Sequence, residues 1–367
     1  MRSSTNWIHI LLEENAPITV TFVRSEHIVF RNVREVVNMV KVAVAGGGQG
    51  LGRVIVEAIE SRGLHECFIL SRNAHEDDPR CIVVDYANIE SLQAVLEANE
   101  LHTVISTLSM ENGGGESQMN LIEAADRSRS TCRFMPSEFG MVYKRKYVSR
   151  CAEIVTVEAN CIGSRHITAL PSYAWKLKAV ERLNQSSLEY TLFSNGMFLD
   201  YMTSPRVPTP LPFSVPVWID LENKFAAIPG DGEGVIAMTH TSDISRFVAA
   251  VLDLPHWEKR YHLIGDRLSI NNMVRVAEEI IGVTFHKHYD QKENLLKHRS
   301  TLLPTAQALL FPGIDEAFIM GMVAAAGVRV IDDEMDLDVN LSVNRLFPDM
   351  KTRTFRDAVQ IWKEAET

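Results

Sequence analysis

The chain has 367 residues, a hydrophobic fraction of 46% and a formal net charge of −10. That is enough apolar material for a large core, and the charge has the wrong sign for a nucleic-acid surface or an anionic membrane. The five cysteines, Cys67, Cys81, Cys132, Cys151 and Cys161, contain no CxxC pair. They suggest no disulfide framework, and a reducing compartment, the cytosol by default, is the simpler reading. The apolar run Ile8–Leu12 is cut short by Glu13 and Glu14, and no uninterrupted apolar run reaches membrane-spanning length.

Residues 1–38 precede the first clear strand and read as an N-terminal extension, with Met39 an alternative start. The strand Lys41–Ala45 then enters Gly46-Gly47-Gly48-Gln49-Gly50-Leu51-Gly52-Arg53 and leaves into an apolar helical pattern from Val54 to Ile59. Strand, tight turn and helix start are what a pyrophosphate needs. Residues without a Cβ let the backbone approach closely, and the amides of the first helical turn face the negative charge. Gly46, Gly48, Gln49, Gly50, Leu51 and Gly52 are therefore candidate cofactor contacts. Ordinary strand-to-helix turns are also rich in glycine, so the loop alone decides little.

Gly63 is a natural helix stop, and Glu66–Leu70 reads as a second strand ending in Ser71-Arg72. An acidic residue there would receive the ribose hydroxyls of NAD, whereas a cation suits a phosphorylated ribose, so Arg72 points to NADPH. A solvated strand-end charge is the plainer alternative. A third strand, Cys81–Asp85, leads to a helix over Ile89–Ala98. Asp85 is placed either to hydrogen-bond an adenine amino group or to cap the turn before that helix.

A fourth strand, Thr103–Leu108, opens on Gly113-Gly114-Gly115 and another helix. Ligands of open parallel sheets lie beyond the carboxyl ends of the strands, so Ser106, Thr107 and, one turn into the helix, Gln118 are candidates to border the cofactor. A fifth strand, Cys132–Met135, runs into Pro136-Ser137-Glu138-Phe139-Gly140. These alternations predict an α/β class: a doubly wound parallel sheet of Rossmann type.

The chain resembles the isoflavone reductase-like, or NmrA-like, atypical short-chain dehydrogenases in five separated blocks. These are Arg133-Phe134 with Pro136–Gly140, Glu116-Ser117-Gln118, Leu188-Glu189-Tyr190-Thr191, Gly230-Asp231-Gly232 with Thr241-Ser242-Asp243-Ile244, and Leu346-Phe347-Pro348-Asp349. The resemblance runs from about residue 40 to the end. It implies an NADP-binding domain at 39–200 and a smaller C-terminal α/β substrate domain at 201–367. It also implies Ser137 and Phe139 at the cofactor, and NADPH-dependent reduction of a small aromatic or secondary-metabolite-type substrate. Two departures stand out. The family's Gly-x-x-Gly-x-x-Gly falls on Gly46, Gln49 and Gly52, so its middle glycine is missing. The segment 141–172, with Lys144-Arg145-Lys146, is also an atypical long insert with little periodicity.

Tyr173–Leu183 reads as a helix on which Lys176 shares a face with Val180 and Leu183. An inward lysine loses solvation of its charged form, which draws its pKa toward the range useful for proton transfer; a snorkelling lysine with a wet amine fits the same pattern. Lys176 matches the family's functional lysine and so carries the catalytic expectation. In typical short-chain dehydrogenases a tyrosine four residues earlier supplies the acid; here that residue is Ser172.

Further along, Leu192-Phe193 is a sixth strand, and Phe198 and Tyr201 begin the expected substrate side. The proline-dense stretch Pro205–Pro216 leaves the sheet domain. Residues 222–235 read as a hairpin turning at Gly230-Asp231-Gly232, Thr241 or Ser242 caps a helix, and Ser269 opens another that Gly282 ends. His286 and His288 share a strand face but lack a nearby cysteine or carboxylate set, so no metal is expected. Residues 300–330 form an apolar helical region able to line a substrate cleft. The expected partner is a small-molecule substrate, with homo-oligomerisation left open. The rival from another class is a non-catalytic NADP-sensing regulator that binds a protein partner, since one fold serves both; an inactive paralogue is a third reading, prompted by 141–172.

Overall fold

The computed structural model describes residues 39–74, 78–143, 169–211, 216–308 and 316–365. The N-terminal extension, most of the insert at 141–172 and the basic triplet 144–146 therefore lie outside the described residues. Residues 38–367 form one compact unit.

Its centre is a six-stranded, all-parallel sheet built from β1 (Lys41–Ala45), β2 (Glu66–Ser71), β3 (Cys81–Val83), β4 (Thr103–Ser106), β5 (Arg133–Met135) and β6 (Glu189–Tyr190), in the order β3-β2-β1-β4-β5-β6. The connections are α1 (Gly50–Arg62), α2 (Ile89–Ala98), α3 (Gly114–Arg127) and α4 (Ala169–Asn184). The two-residue repeat of a strand explains the two-sided packing. On one face Val42 and Val44 meet Ile55, Val56 and Ile59 of α1 together with Ile244, Phe247 and Val248. On the other face Ala43 and Ala45 meet Leu92 and Leu96 of α2, Leu121 and Ile122 of α3, and Ala179 and Leu183 of α4. The helix ends follow local chemistry. Gly63 stops α1 in the left-handed conformation at φ 64°, and the Asn88 side chain caps α2 by accepting from Ser91 N–H. Because β1 pairs with both β2 and β4, the strand order reverses beside β1, and a crevice opens there at the carboxyl ends.

Three expectations need correction. The sixth strand is broken in pairing: β6 joins β5, whereas β7 (Leu192–Ser194) pairs in parallel with β12 (Arg260–His262). The hairpin at 222–235 does not form. After β8 (Met197–Phe198) and β9 (Ile219–Asp220), β10 (Phe225–Pro229) pairs with β9 and β14 (His286–Asp290), while β11 (Val235–Thr239) pairs with β8 and β13 (Asp266–Ser269). The glycine turn between β10 and β11 is met by Asn271, whose side chain donates to Asp231 O at 2.9 Å, and the two strands on either side of it lie in separate sheets. Finally, α5 (Thr241–Val251) is capped neither by Thr241 nor by Ser242 but by His240, whose Nδ1 accepts from Ser242 N–H at 3.1 Å.

Ser269 does cap α6 (Ile270–Ile281), and Gly282 ends it at φ 85°. A further core joins β9, β10 and β11 to α6, α7 (Glu316–Ile331) and α8 (Phe355–Glu364) through Ile228, Ile236, Met273, Val330, Phe355 and Trp362. Helix α5, from the C-terminal half of the sequence, packs on α1 and so belongs to the layer that backs the sheet.

Candidate active site

At the end of β1 the chain turns at Gly46, with φ 81°. A Cβ on Gly52 would run into the Gly46 carbonyl and the Thr107 hydroxyl, so only glycine lets α1 lie this close to the strand ends. The first helical bond of α1 is Arg53 N–H to Gln49 O at 3.2 Å, which leaves the amides of Gly50, Leu51 and Gly52 without an acceptor inside the helix. No acidic residue stands in that first turn, and Gln49 makes no side-chain cap. The helix end is thus open to an anion. Gln49 itself has an extended backbone, φ −154° and ψ 173°, which any residue adopts. The missing family glycine therefore imposes no backbone strain here.

A cleft of about 570 Å³ starts at this turn. Gly46, Gly48, Gln49, Gly50 and Leu51 form one end, Arg72 and Tyr86 flank it, and Thr107, Ser137, Phe139 and Lys176 continue the wall. Arg72 is exposed at the end of β2 and has no ion pair among the described residues. Ten of the fourteen sequence candidates are brought together in this way.

The other four are not in the lining. Gly52 acts beneath it, as described. Ser106 is fully buried, and its Oγ has no hydrogen-bond partner among the described residues. Gln118 is buried too, and its Oε1 accepts from Ser137 N–H at 2.8 Å, so it holds a lining residue rather than facing the cleft. Asp85 is exposed and accepts from Ala87 N–H at 2.9 Å, the geometry of a turn. The wall position falls to its neighbour Tyr86, whose hydroxyl donates to Leu70 O at 3.0 Å. Of the two roles open to Asp85, the hydrogen bond to Ala87 N–H is that of the turn residue.

Lys176 is half-buried on α4. Its Nζ donates to Glu138 O at 2.7 Å and to the Tyr143 hydroxyl at 3.0 Å, and sits 4.2 Å from the centre of the Tyr143 ring. Burial pulls its pKa below the usual lysine value, against the opposing charges of Glu138 and Tyr173. Burial likewise pushes the Glu138 carboxyl up, although Lys176 and Arg260 favour its charged form. Arg260 Nη1 lies 3.8 Å from Glu138 Oε2 and donates to Ser194 Oγ at 2.7 Å. Tyr86, Glu138, Tyr143, Tyr173 and Arg260 are the residues that sequence reasoning missed. Glu138 stands inside the Pro136–Gly140 block and could have been found there; Tyr143 had no local signal.

A second, apolar cavity of about 260 Å³ adjoins the cleft and shares Phe139, Tyr143 and Phe198 with it. Its other walls include Met197, Tyr201, Trp218, Met322, Val323 and Met335. The apolar 300–330 region and the aromatics Phe198 and Tyr201 thus meet at one cavity. Among the described residues no group of histidine, cysteine and carboxylate side chains could hold a metal ion, and no helix is long and apolar enough to cross a membrane.

No family model matches the sequence. Oxidoreductase BOA1 of Botryotinia fuckeliana is 36% identical over 250 residues, covering 66% of this chain and 77% of that protein. Phenylcoumaran benzylic ether reductase TP7 of Nicotiana tabacum is 26% identical over 338 residues, covering 86% and 96%. Among solved structures, the binary complex of leucoanthocyanidin reductase with NADPH from Vitis vinifera superposes with a TM-score of 0.64 at 19% identity, covering 88% of this chain and 99% of that one; this is a likeness of fold. With the five sequence blocks, the crevice at the strand-order reversal and a relative this similar over most of its length, the chain belongs to the isoflavone reductase-like family of oxidoreductases.

Proposed function

We propose that the protein is an NADPH-dependent reductase of a small aromatic substrate of secondary-metabolite type. The observation that carries the reading is that one continuous cleft runs from the open amino end of α1, past Arg72, to Lys176, where the apolar cavity begins. The donor set fits a dinucleotide. Bare amides at Gly50, Leu51 and Gly52 suit the pyrophosphate, the Arg72 guanidinium suits a ribose phosphate, and the Gly52 cradle would be filled by any Cβ.

When bound, NADPH supplies a hydride. The chain's own residues bind, orient and exclude water. Ser137, fixed by Gln118, and Phe139 wall the inner end of the cleft, and Lys176 holds positive charge where a substrate oxygen gains electron density. The apolar cavity selects an uncharged ring system by desolvation, which agrees with the aromatic compounds named for the plant relatives. In this reading residues 39–200 supply most of the cofactor side and 201–367 most of the substrate wall. The cytosol suits the cysteine usage: Cys67 is buried with its thiol pushed up to about 12 by desolvation, and Cys81 and Cys132 are free.

Fluorescence titration with NADPH and NADH, followed by substrate-dependent NADPH oxidation with wild type and Lys176→Ala, tests the reading. Tight NADPH binding with turnover lost in Lys176→Ala is expected. Binding of neither coenzyme would end it.

A further inference from the structure

We propose that Tyr143, placed by the segment after β5, is the proton donor of this site and that Lys176 is the group that charges and replenishes it, a tyrosine–lysine pair assembled from positions 33 residues apart rather than four. The proposal rests on the reductase reading above for the reaction it serves.

Three observations carry it. Tyr143 is one of the residues that line both the polar cleft and the apolar cavity, and its hydroxyl lies beside Lys176, another residue of the cleft wall. Lys176 Nζ donates to the Tyr143 oxygen at 3.0 Å, and no acceptor for the phenolic proton is present among the described residues. That proton is therefore free to be given to a bound oxygen. The position is also held on purpose-built ground. Gly140 has φ 149°, and a Cβ there would come within 2.7 Å of the Tyr143 hydroxyl. On the other side the Tyr173 ring packs at 4.8 Å, and Arg329 of α7 donates to Val142 O at 3.2 Å, tying down the residue before it.

The chemistry balances. A hydride added to an electrophilic carbon sends the electron pair of the conjugated C=O bond to oxygen. That oxygen takes the Tyr143 proton: the phenolic O–H bond breaks and the product O–H bond forms. The phenolate left behind faces the Lys176 ammonium, takes one of its protons, and the amine recovers a proton from water. The other titratable groups facing the pair are Glu138, Tyr173, Tyr201 and Arg329. Burial raises the Tyr143 phenol and lowers the Lys176 amine, so a phenolate formed here draws its proton back from the neighbouring ammonium.

The test uses the full chain and 4-nitrophenol, whose colour reports its ionisation and whose ring suits the apolar cavity. Wild type is expected to bind it with a shift toward the phenolate, the oxygen receiving both the Tyr143 and Lys176 donors. Tyr143→Phe should weaken phenolate binding about tenfold or more, the scale of a hydrogen bond to a charged group, and Gly140→Ala should act in the same direction by displacing the hydroxyl. NADPH titration of each variant reports whether the cleft remains intact. Equal affinity and equal colour shift in Tyr143→Phe would overturn the pair, and so would wild type that binds no 4-nitrophenol. Loss of NADPH binding by wild type would instead strike the reductase reading, which keeps the two failures distinct.

Discussion

Glu138 and Arg260 face each other at 3.8 Å behind the site, with the Glu138 side chain only 3% exposed and its backbone carbonyl holding Lys176. The pair is too loose to repay the burial of a carboxylate in full, and the Glu138 carboxyl is accordingly pushed up from 4.5. A carboxyl whose folded pKa is raised stabilises the fold most below its unfolded value, and that contribution is lost as the pH rises through the folded value. Wild-type stability is therefore expected to fall as the pH rises above 4.5, and Glu138→Gln should flatten that fall in melting curves across pH. A steeper fall in the variant would mean that the ion pair stabilises the fold outright.

Lys176→Met removes a cation that burial disfavours. The lowered lysine makes wild-type stability rise with pH toward the ordinary lysine value of 10.5, because the unfolded chain binds the extra proton. That rise should shrink in the variant, while kcat falls by about 10²–10⁴, the range of a lost proton-transfer group. Melting curves across pH and turnover assays check the two effects separately.

Gly52→Ala places a Cβ against the Gly46 carbonyl and the Thr107 hydroxyl, neither able to withdraw without moving β1 or β4. A stability loss of about 1–3 kcal/mol and a fall in NADPH affinity are expected. Gln49→Gly, at an extended cap position, should alter stability by only a few tenths of a kcal/mol and leave the affinity nearly unchanged. Calorimetric binding and chemical unfolding of the two variants make a matched comparison.

Arg72→Ala should weaken NADPH by about tenfold, the value of one charge-assisted contact to phosphate, and leave NADH unaffected. Raising the salt concentration should narrow the difference, because Arg72 is exposed. An equal loss for both coenzymes would place the guanidinium elsewhere than at the ribose phosphate.

Ala326→Phe should fill the apolar cavity from α7. Substrate KM is expected to rise while the NADPH titration stays as in wild type, since Ala326 lines only the apolar side. A parallel loss of NADPH binding would show that the two spaces are one.

The sequence by itself determined what is local. β1, the glycine turn and α1 are contiguous, their signals lie within a few residues of one another, and the alternation of Val42 and Val44 with Ala43 and Ala45 already implies a sheet covered on both faces. Gly63, Ser269 and Gly282 mark helix ends because a cap acts within one turn. Only the tertiary structure decided what depends on neighbours distant in the chain. It parted β10 and β11 between two sheets, gave the α5 cap to His240, turned Gln118 onto Ser137 and brought Tyr143 to Lys176. The physical reason is that backbone propensity and hydrophobic period act over a turn or a strand, whereas a partner for a buried hydroxyl or a ladder edge is chosen by packing the whole chain at once.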